Sequence, residues 1–371
     1  MPYMQRVRLT SDADLDDNAT WRYKLPAIGK YTCIEMRIEC NRHADRTLNT
    51  VVYPLESCIS KIEVLEAGQR VLLSLTGQQL DAMNYWDLGR PNPRRYRQVE
   101  GGGNDVVLYL LFGRDFYDRE YGLDLARLNE TYLEYTYDLN EGDADYFAAN
   151  DHDIKLYGWR WMGPGEPDFS ALFRSRQLAY WTTSAANNLK TIEIPVGTLI
   201  RRIGVQAGTR ANTIGGTFSK LEVQVNNGEY SPVIIQEPMI WCAQEVSEYG
   251  LSNIVGGIDY LASTSEMDLP YWWSYLEDVE ATPYAYAGAI DVNVHGITIP
   301  ARVAAAATGA QEVMFTMRGW GFQKCLRIGF DHEYDGIDLL DARDMGSLDL
   351  ILTEAAASLA GRVFVQDILR Y

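Results

Sequence analysis

The sequence contains no run of about 18 consecutive apolar residues, the length that a membrane-spanning helix needs. The stretch from Met1 to Asp17 lacks the apolar centre of a secretion signal. We therefore expect neither a helical membrane protein nor a secretion signal.

Lysine is scarce, with 7 residues against 26 arginines. The arginines favour two-pronged contacts with carboxylates, which suit polar protein interfaces.

Cysteine provides neither a disulfide framework nor a zinc site. The five cysteines are an odd number and show no CxxC spacing. They are Cys33, Cys40, Cys58, Cys242 and Cys325. This pattern predicts a reduced protein with ordinary buried thiols.

Familiar catalytic and cofactor motifs are also missing. The sequence has no GxSxG, HExxH, P-loop or zinc-ligand spacing. The glycine-rich segment 100–105 leads into a strand pattern, whereas a phosphate cradle needs a helix N-terminus. The formal charge of −18 disfavours nucleic-acid binding across a broad face. We expect no enzymatic activity, no catalytic residue, no cofactor and no metal.

Short segments of alternating apolar and polar residues fill most of the chain from Leu25 onward. Ile34, Met36 and Ile38 alternate with charged residues, and glycine, proline, asparagine and aspartate punctuate the segments. This pattern predicts a mainly β protein of sandwich or barrel type. The polar residues 1–20 are predicted to form an N-terminal arm with little core of its own.

Few segments favour helix. Thr76 is a candidate N-cap for a short helix that includes Gln79 and Met83. Phe169 to Tyr180 is a second candidate helix. Leu348 to Gly361 is ambiguous, because its alanines favour helix while its leucines alternate as in a strand.

The second half of the sequence repeats the first in the same order. The matched segments are 25–29 with 194–197, 59–64 with 218–223, 120–125 with 333–339, and 132–138 with 348–353. Each half then ends in an apolar strand, 154–161 and 363–369. The repeat indicates duplication and predicts a strand for the first half of 348–361. We therefore predict a first β domain over residues 21–165 and a second over 166–371.

The second copy is longer than the first. Lys61 and Lys220 are 159 residues apart, whereas Tyr121 and Tyr334 are 213 apart, which leaves 54 extra residues. They fall mostly within 224–327, a segment rich in aromatic residues. An insertion of this length between strands is usually functional or interfacial.

The repeated segments and the strand that opens at Pro195 resemble the double jelly-roll major capsid proteins of tailless icosahedral viruses, the lineage of adenovirus hexon. The Lys-Ile-Glu-Val and Lys-Leu-Glu-Val strands and the Gln-Gln-Leu-Asp-Ala-Met helix carry the resemblance. It covers about residues 20–371 as a pattern of elements, and it most resembles members whose virions have an internal membrane.

This resemblance implies two tandem eight-stranded jelly rolls and a homotrimeric, nearly hexagonal capsomer that tiles an icosahedral virion shell. The insertion would form an outer tower, and the N-terminal arm would face neighbouring capsomers, minor capsid proteins or an internal membrane. Synthesis in the host cytoplasm would precede assembly. The alternative is a carbohydrate-binding or glycoside-hydrolysing β-sandwich protein, in which an aromatic loop and an acidic cluster form a sugar site.

Two surface contacts are candidates. The aromatic run Tyr271, Trp272, Trp273 and Tyr275 has three interpretations: packing at the trimer axis, stacking on a glycan, or filling a local core. We favour packing at the trimer axis. The basic run Arg90, Arg94, Arg95 and Arg97 is a candidate contact loop for an acidic neighbouring subunit, lipid headgroups or genome, with a plain solvated loop as the alternative.

Three acidic segments are weak candidates for chemistry. Asp12, Asp14 and Asp16 begin like a calcium loop, but the positions that need Gly and Glu hold Asp17 and Tyr23. The segment 331–344 is the densest acidic cluster, yet its counterpart at 115–124 suggests a structural turn. Segment 151–153 surrounds one histidine with two aspartates and is expected to be a surface loop.

Overall fold

The computed structural model of the chain describes residues 1–42, 54–95, 103–140, 147–208, 213–249, 252–261, 266–268, 272–283, 289–294, 297–302, 310–331 and 338–371. Strands account for most of these residues, as the alternating pattern predicts. Helices are few and short. The predicted mainly β fold is confirmed.

The structure describes eleven strands before residue 165. They are β1 (Tyr3–Arg8), β2 (Ala13–Leu15), β3 (Asn18–Lys24), β4 (Lys30–Arg42), β5 (Ile59–Glu66), β6 (Arg70–Leu75), β7 (Arg94–Arg95), β8 (Gly103–Leu111), β9 (Leu123–Asp124), β10 (Thr131–Asp138) and β11 (Phe147–Met162). A 3₁₀ turn, Leu55–Cys58, precedes β5, and helix α1, Gly77–Leu88, follows β6.

Fifteen further strands are described after this point. They are β12 (Ala171–Thr182), β13 (Leu189–Glu193), β14 (Leu199–Ala207), β15 (Phe218–Val225), β16 (Tyr230–Ile235), β17 (Ser252–Leu261), β18 (Glu266–Asp268), β19 (Trp273–Pro283), β20 (Ala289–Val294), β21 (Ile297–Arg302), β22 (Ala310–Phe322), β23 (Cys325–Gly329), β24 (Leu340–Asp341), β25 (Leu348–Glu354) and β26 (Ala360–Arg370). Helices α2, Ile214–Thr217, and α3, Pro238–Tyr249, lie among them.

The two halves have the same strand order. In the first half, four strands run β1–β11–β4–β8 in one sheet and four run β3–β10–β5–β6 in another. In the second half, the orders are β12–β26–β14–β23 and β13–β25–β15–β16. Each half is thus an eight-stranded jelly roll, and we call these two sets of strands the first roll and the second roll. Small strands extend them: β7 pairs with β8, β2 with β11, β9 with β4, and β24 with β14.

The matched sequence segments occupy matched places in the rolls. Residues 59–64 and 218–223 lie in β5 and β15, and residues 132–138 and 348–353 lie in β10 and β25. Alternate side chains of β10 and of β25 are buried, because one face of each strand covers the core. The strand predicted for the first half of 348–361 is confirmed. The duplication therefore has a structural basis.

The two rolls share one continuous sheet. Its order is β23–β14–β26–β12–β6–β5–β10–β3, and the two halves meet at a parallel pairing of β12 with β6. Each roll also has its own buried apolar cluster, although Trp272, Trp273 and Phe364 of the second half belong to the cluster of the first. The halves are consequently packed together rather than merely linked.

The segment predicted as an N-terminal arm carries strands. β1 pairs with β11 over its whole length, from Tyr3 opposite Met162 to Arg8 opposite Tyr157, so it forms the edge of the first sheet. Val7 and Leu9 are partly buried against the core, while most other side chains of β1 are exposed. The division of the chain at residues 21–165 and 166–371 stays a prediction.

The helix predicted at the Thr76 cap is confirmed as α1. The Thr76 hydroxyl accepts from the Gln79 backbone N–H, the Gln79 side chain accepts from the Thr76 N–H, and Gly89 ends the helix with a φ of 65°. The helix predicted for Phe169 to Tyr180 is wrong. This segment lies in β12, where pairing with β26 on one side and β6 on the other overrides the local preference.

The insertion in the second roll lies between β16 and β23. Its described residues form α3 and six strands, in the sheets β17–β22–β19 and β18–β20–β21. The corresponding connection in the first roll contains α1 and β7. Within the described residues, no helix is both long and apolar enough to cross a bilayer. All five cysteines are buried and none of them forms a disulfide, as predicted.

Candidate functional site: the buried junction between the two rolls

Helix α1 belongs to the first roll but packs against the second. The Trp86 ring stacks on Phe364 of β26, with centroids 5.9 Å apart and planes 13° apart. The Gln79 side-chain amide donates to Gln177 Oε1 of β12 at 2.9 Å. α1 is therefore a wedge that fixes the second roll relative to the first.

One group of charged side chains includes Asp81 of α1, and we call it the Arg94 cluster. Arg94 donates to Glu56 Oε1 at 2.7 Å and to both carboxylate oxygens of Asp81 at 2.8 Å. From the second half, the Trp272 indole and the Gln323 amide donate to Glu56 at 2.7 and 2.8 Å, and Gln323 also donates to Asp81. The cluster thus joins segments that are far apart in sequence.

The electrostatics of the Arg94 cluster follow from its composition. The Arg94, Glu56 and Asp81 side chains are 6%, 3% and 0% exposed. Burial raises the pKa of Asp81, and the nearby Glu56 charge adds to this while Arg94 opposes it. Burial lowers the pKa of Arg94, but the two carboxylates outweigh burial and raise it. Two carboxylates share one guanidinium, so Arg94 stays charged.

A second buried group, the Asp87 cluster, lies at the C-terminal end of α1. Asp87 accepts from Arg201 Nη1 at 2.8 Å and from Arg202, both on β14. Arg201 also donates to Asp331 Oδ2 at 2.8 Å and to Gln366 Oε1 at 3.1 Å. Burial lowers the pKa of Arg202 to about 10, and the neighbouring Arg201 charge contributes. A single first-roll carboxylate therefore holds two second-roll arginines.

Taken together, the two clusters make the junction specific. A buried charge without a partner costs several kcal/mol, so the relative position of the two rolls that pairs these charges is favoured over positions that separate them. The carboxylates here accept from arginine, tryptophan or amide donors, which suits structure rather than acid–base catalysis. Among the residues that the structure describes, no group of three or more His, Cys, Asp or Glu side chains could hold a metal ion.

The candidate aromatic run lies at this junction. Trp272 and Trp273 are 1% and 0% exposed, and their rings meet edge to face with centroids 5.8 Å apart. Tyr275 is half-buried, and its hydroxyl accepts from the Gly215 N–H at 3.0 Å. Tyr271 lies outside the described residues. For Trp272 and Trp273, burial within one chain favours the local-core alternative over packing at the trimer axis or glycan stacking.

The candidate basic run is divided by the fold. Arg94 is buried in its cluster, so it is not a surface contact in this chain. Arg90 and Arg95 are exposed, and Arg95 lies 3.3 Å from Asp105. Arg97 lies outside the described residues. The contact role of the exposed pair stays a prediction.

Only residues 13–15 of the candidate calcium segment form a strand, β2. Asp14 lies in β2 opposite Asp153, and Asp12 accepts from Arg8 Nη2 at 2.8 Å. Asp12, Asp14 and Asp16 all lie within the described residues, and they are not part of any group of three or more His, Cys, Asp or Glu side chains that could hold a metal ion. The three carboxylates therefore do not converge as a calcium loop requires.

The acidic turn predicted from the repeat contains a capping carboxylate. Buried Asp118 accepts from Arg114 at 2.8 Å and from the backbone N–H groups of Glu120 and Tyr121. Burial raises its pKa, but these donors outweigh burial and lower it. In the second half, Asp331 is buried against Arg201, and residues 332–337 lie outside the described part. Asp118 and Asp331 are thus both held by arginine partners within the fold.

The segment 151–153 is not the expected surface loop. His152 lies in β11 with no exposed surface, and its Nε2 is 3.1 Å from the Tyr135 hydroxyl. Burial lowers the pKa of His152 to about 4, against opposing effects of Asp16 and Asp17. The sheet pairing of β11 with β4 and β2 explains the difference from the prediction.

Acid is therefore expected to destabilise the protein through His152. The unfolded chain binds a proton at this residue near pH 6.5 and the folded chain only near pH 4, so stability falls as the pH drops through this window, by up to about 3 kcal/mol. Urea titrations of the wild type and His152→Gln at pH values across this window measure the effect. The variant is expected to lose less stability over the window, and equal losses would contradict the assignment.

Sequence inspection missed the junction clusters. One signal was present: Arg201 and Arg202 interrupt the otherwise apolar strand β14, where charges need buried partners. The partners themselves, Asp87, Asp331 and Gln366, come from three distant segments. No local pattern indicates that such segments meet.

No protein-family model and no curated protein matches the sequence. Solved structures do match the fold. The major capsid protein of STIV, Sulfolobus Turreted Icosahedral Virus, is 12% identical with a TM-score of 0.63, and the match covers 100% of this chain and 98% of that one. The major capsid protein of bacteriophage PM2 is 14% identical with a TM-score of 0.55 and the same coverage.

A chain of the PBCV-1 virus capsid is 11% identical with a TM-score of 0.54, over 99% of this chain and 94% of that one. At these identities the likeness establishes the fold. It extends over both rolls. The chain therefore has the double jelly-roll fold of these viral capsid proteins.

Proposed function

We propose that this protein is the major coat protein of an icosahedral virus. The observation that carries the proposal is the double jelly roll itself: two sandwiches of identical strand order, held side by side by the Arg94 and Asp87 clusters. Such a chain presents similar side faces twice. The likeness to viral capsid proteins over the whole chain supports the same function.

We further propose that three copies form one capsomer. Three chains supply six similar rolls, and a closed threefold ring of heterologous contacts gives a nearly hexagonal tile without open-ended growth. The insertion between β16 and β23 would form the outer tower. Neighbouring capsomers, minor capsid proteins and an underlying membrane would be the partners in the virion, after synthesis in the host cytoplasm.

Light scattering on the purified chain tests this proposal. A trimer has a mass of about 126 kDa, three times 42.0 kDa, and negative-stain images should show hexagonal outlines. A monomer at micromolar concentration would contradict the trimer. A monomer that hydrolyses a glycan would replace the coat-protein assignment with the carbohydrate alternative.

A further inference from the structure

The contact between β6 and β12 suggests how two copies meet. β6 is the last strand in the order β3–β10–β5–β6 of the first roll, and β12 is the first in the order β12–β26–β14–β23 of the second. Their pairing is parallel and short, with Ser175 opposite Leu73 and Arg176 opposite Ser74. The chain thus already contains one pairing between edge strands of two rolls, which can serve as the model for a contact between copies.

The equivalent edges at the other ends of the two rolls are free. By strand order, β16 of the second roll corresponds to β6, and β1 of the first roll corresponds to β12. Within the part of the chain that the structure describes, no strand pairs with the outer edge of either β16 or β1. An unpaired edge is a template for a strand of another chain.

We propose that β16 of one copy pairs in parallel with β1 of a second copy, repeating the β6–β12 contact between subunits. This inference rests on the proposed trimer and specifies its interface. We assign each of these two edges to a second copy of this chain. The reason is that β6 and β12, which hold the same places in the strand order as β16 and β1, already pair with each other within the chain.

The residues of β1 that correspond to β12 follow from the sheet registers. The pairings across the sheets run Ser175–Gln366–Arg202 in the second roll and Arg6–Trp159–Cys33 in the first. In the first roll, the register between β11 and β4 shifts next to Cys33. In the second roll, the register between β26 and β14 shifts next to Arg202. This shared irregularity aligns Arg6 with Ser175, and hence Val7 with Arg176.

The residues of β16 that correspond to β6 follow from the matched hairpins. Leu73 lies opposite Val64, and Val233 lies opposite Val223. Val64 and Val223 end the repeated sequence segments, and both hairpins shift register immediately afterwards. Val233 and Ile234 therefore take the places of Leu73 and Ser74.

The expected pairing covers exposed apolar side chains of both strands and places the charged Arg6 beside a valine. Arg6 would lie opposite Val233 and Val7 opposite Ile234, and the same register brings Tyr3 opposite Tyr230. Tyr3, Tyr230 and Ile234 are 55%, 50% and 49% exposed in the single chain. In the internal contact the corresponding face is closed, since Leu73 and Ser175 are almost fully buried.

Helix α3 extends the exposed patch. Met239 and Ile240, in its first turn, are 48% and 49% exposed. The corresponding turn of α1 contains Gln79, which contacts Gln177 across the internal junction. Together with Tyr230 and Ile234, these two residues make four exposed apolar side chains within residues 230–240, the segment that the second copy is expected to contact. Burying such a surface favours association.

Pro232 limits how far this contact extends. Proline lacks a backbone donor, so it does not continue a ladder along β16 toward Tyr230. The internal example is likewise only two residue pairs long. Because the two edges differ, the contact is heterologous, and it must close into a ring to avoid open filaments.

A cross-linking experiment tests the register. The double variant Val7→Cys with Ile234→Cys places two thiols on directly opposed residues of strands about 4.8 Å apart. Mild oxidation followed by non-reducing electrophoresis should give covalent dimers and trimers. The native cysteines are buried, so the single variants are expected to stay uncross-linked. The pair Val7→Cys with Tyr230→Cys is the register control, about 13 Å out of line.

A second measurement does not depend on a disulfide. Ile234→Arg is expected to raise the concentration at which the trimer dissociates at least about tenfold. Leu189→Arg is the matched control, because Leu189 is 65% exposed on β13, the opposite edge of the same four-stranded sheet. It should leave the trimer intact.

The outcomes separate this inference from the proposed function. Trimers that give no covalent products from the Val7–Ile234 pair, or equal products from the control pair, would overturn the strand pairing and leave the coat-protein trimer standing. Trimers unaffected by Ile234→Arg would do the same. A wild-type chain that is monomeric by light scattering would overturn both. Covalent dimers and trimers, with no larger species, that form from the Val7–Ile234 pair and not from the control pair support both the strand pairing and the trimer.

Discussion

Arg94→Met is expected to lower the free energy of unfolding by about 3–5 kcal/mol, the usual cost of removing one partner of a buried ion pair. Methionine retains most of the volume, so the loss comes from charge rather than from a cavity. Glu56 and Asp81, both nearly inaccessible to water, would keep their tryptophan and amide donors but lose the guanidinium. Urea denaturation at equal protein concentration measures the change.

The pH dependence of this variant gives a sharper test. Without Arg94, the folded-state pKa of Asp81 rises further above its unfolded value, because burial and the Glu56 charge are then opposed only by hydrogen bonds from neutral donors such as Gln323. A folded pKa above the unfolded one means that the contribution to stability is present at low pH and lost as the pH rises. The deficit relative to wild type should therefore be larger near pH 8 than near pH 5.

Arg95→Met is the matched control for Arg94. The two residues are adjacent on β7, but the Arg95 side chain is 51% exposed. Its ion pair with Asp105 lies at the surface, so the free energy of unfolding should change by less than about 0.5 kcal/mol. Equal effects at the two positions would show that Arg94 has no special role.

Asp87→Ala is expected to lower the free energy of unfolding by about 3–5 kcal/mol, because it leaves a buried positive charge without its carboxylate partner. Asp87 is the carboxylate that both Arg201 and Arg202 contact from β14. Arg201 keeps Asp331, whereas Arg202 loses the carboxylate that offsets its burial. Since Asp87 lies on α1 and the arginines lie on the second roll, the loss should weaken the junction in particular.

Hydrogen exchange locates this loss. In Asp87→Ala, the backbone amides of α1 should exchange faster, while those of β10, remote from the junction and central in the first roll, should change little. Asp341→Ala, which removes an exposed partner of Arg343, is the control and should leave the urea midpoint and the exchange of α1 unchanged. Uniform acceleration throughout the chain would indicate general destabilisation instead.

The strand content and the duplication could be predicted from sequence because their causes are local. Alternation of apolar and polar residues along β10 and β25 fixes which face is buried, and the hydroxyl and amide of Thr76 and Gln79 suffice to start α1. The repeated segments carry the same pattern twice. These features therefore survive without knowledge of the tertiary structure.

The features that sequence failed to reveal depend on distant neighbours. Segment 169–180 becomes a strand because β26 and β6 flank it, and His152 is buried because β4 and β2 pair with its strand. Trp272 and Trp273 follow the same rule: their cover comes from the first roll, about 200 residues earlier in the chain. Aromatic residues in a long insertion look like a surface feature when this cover is unknown.

The pairing of terminal strands within each roll has a consequence for synthesis on the ribosome. Tyr3 must wait for Met162 before its strand finds a partner, and Ala171 must wait for Arg370. Each sandwich thus contains its own first and last strands, so the strands of the leading one can pair while the trailing one is still being translated, and the second half then completes its core. The edge strand β6, which contains Leu73, is then available to pair with β12, which contains Ser175, as the second roll begins to fold.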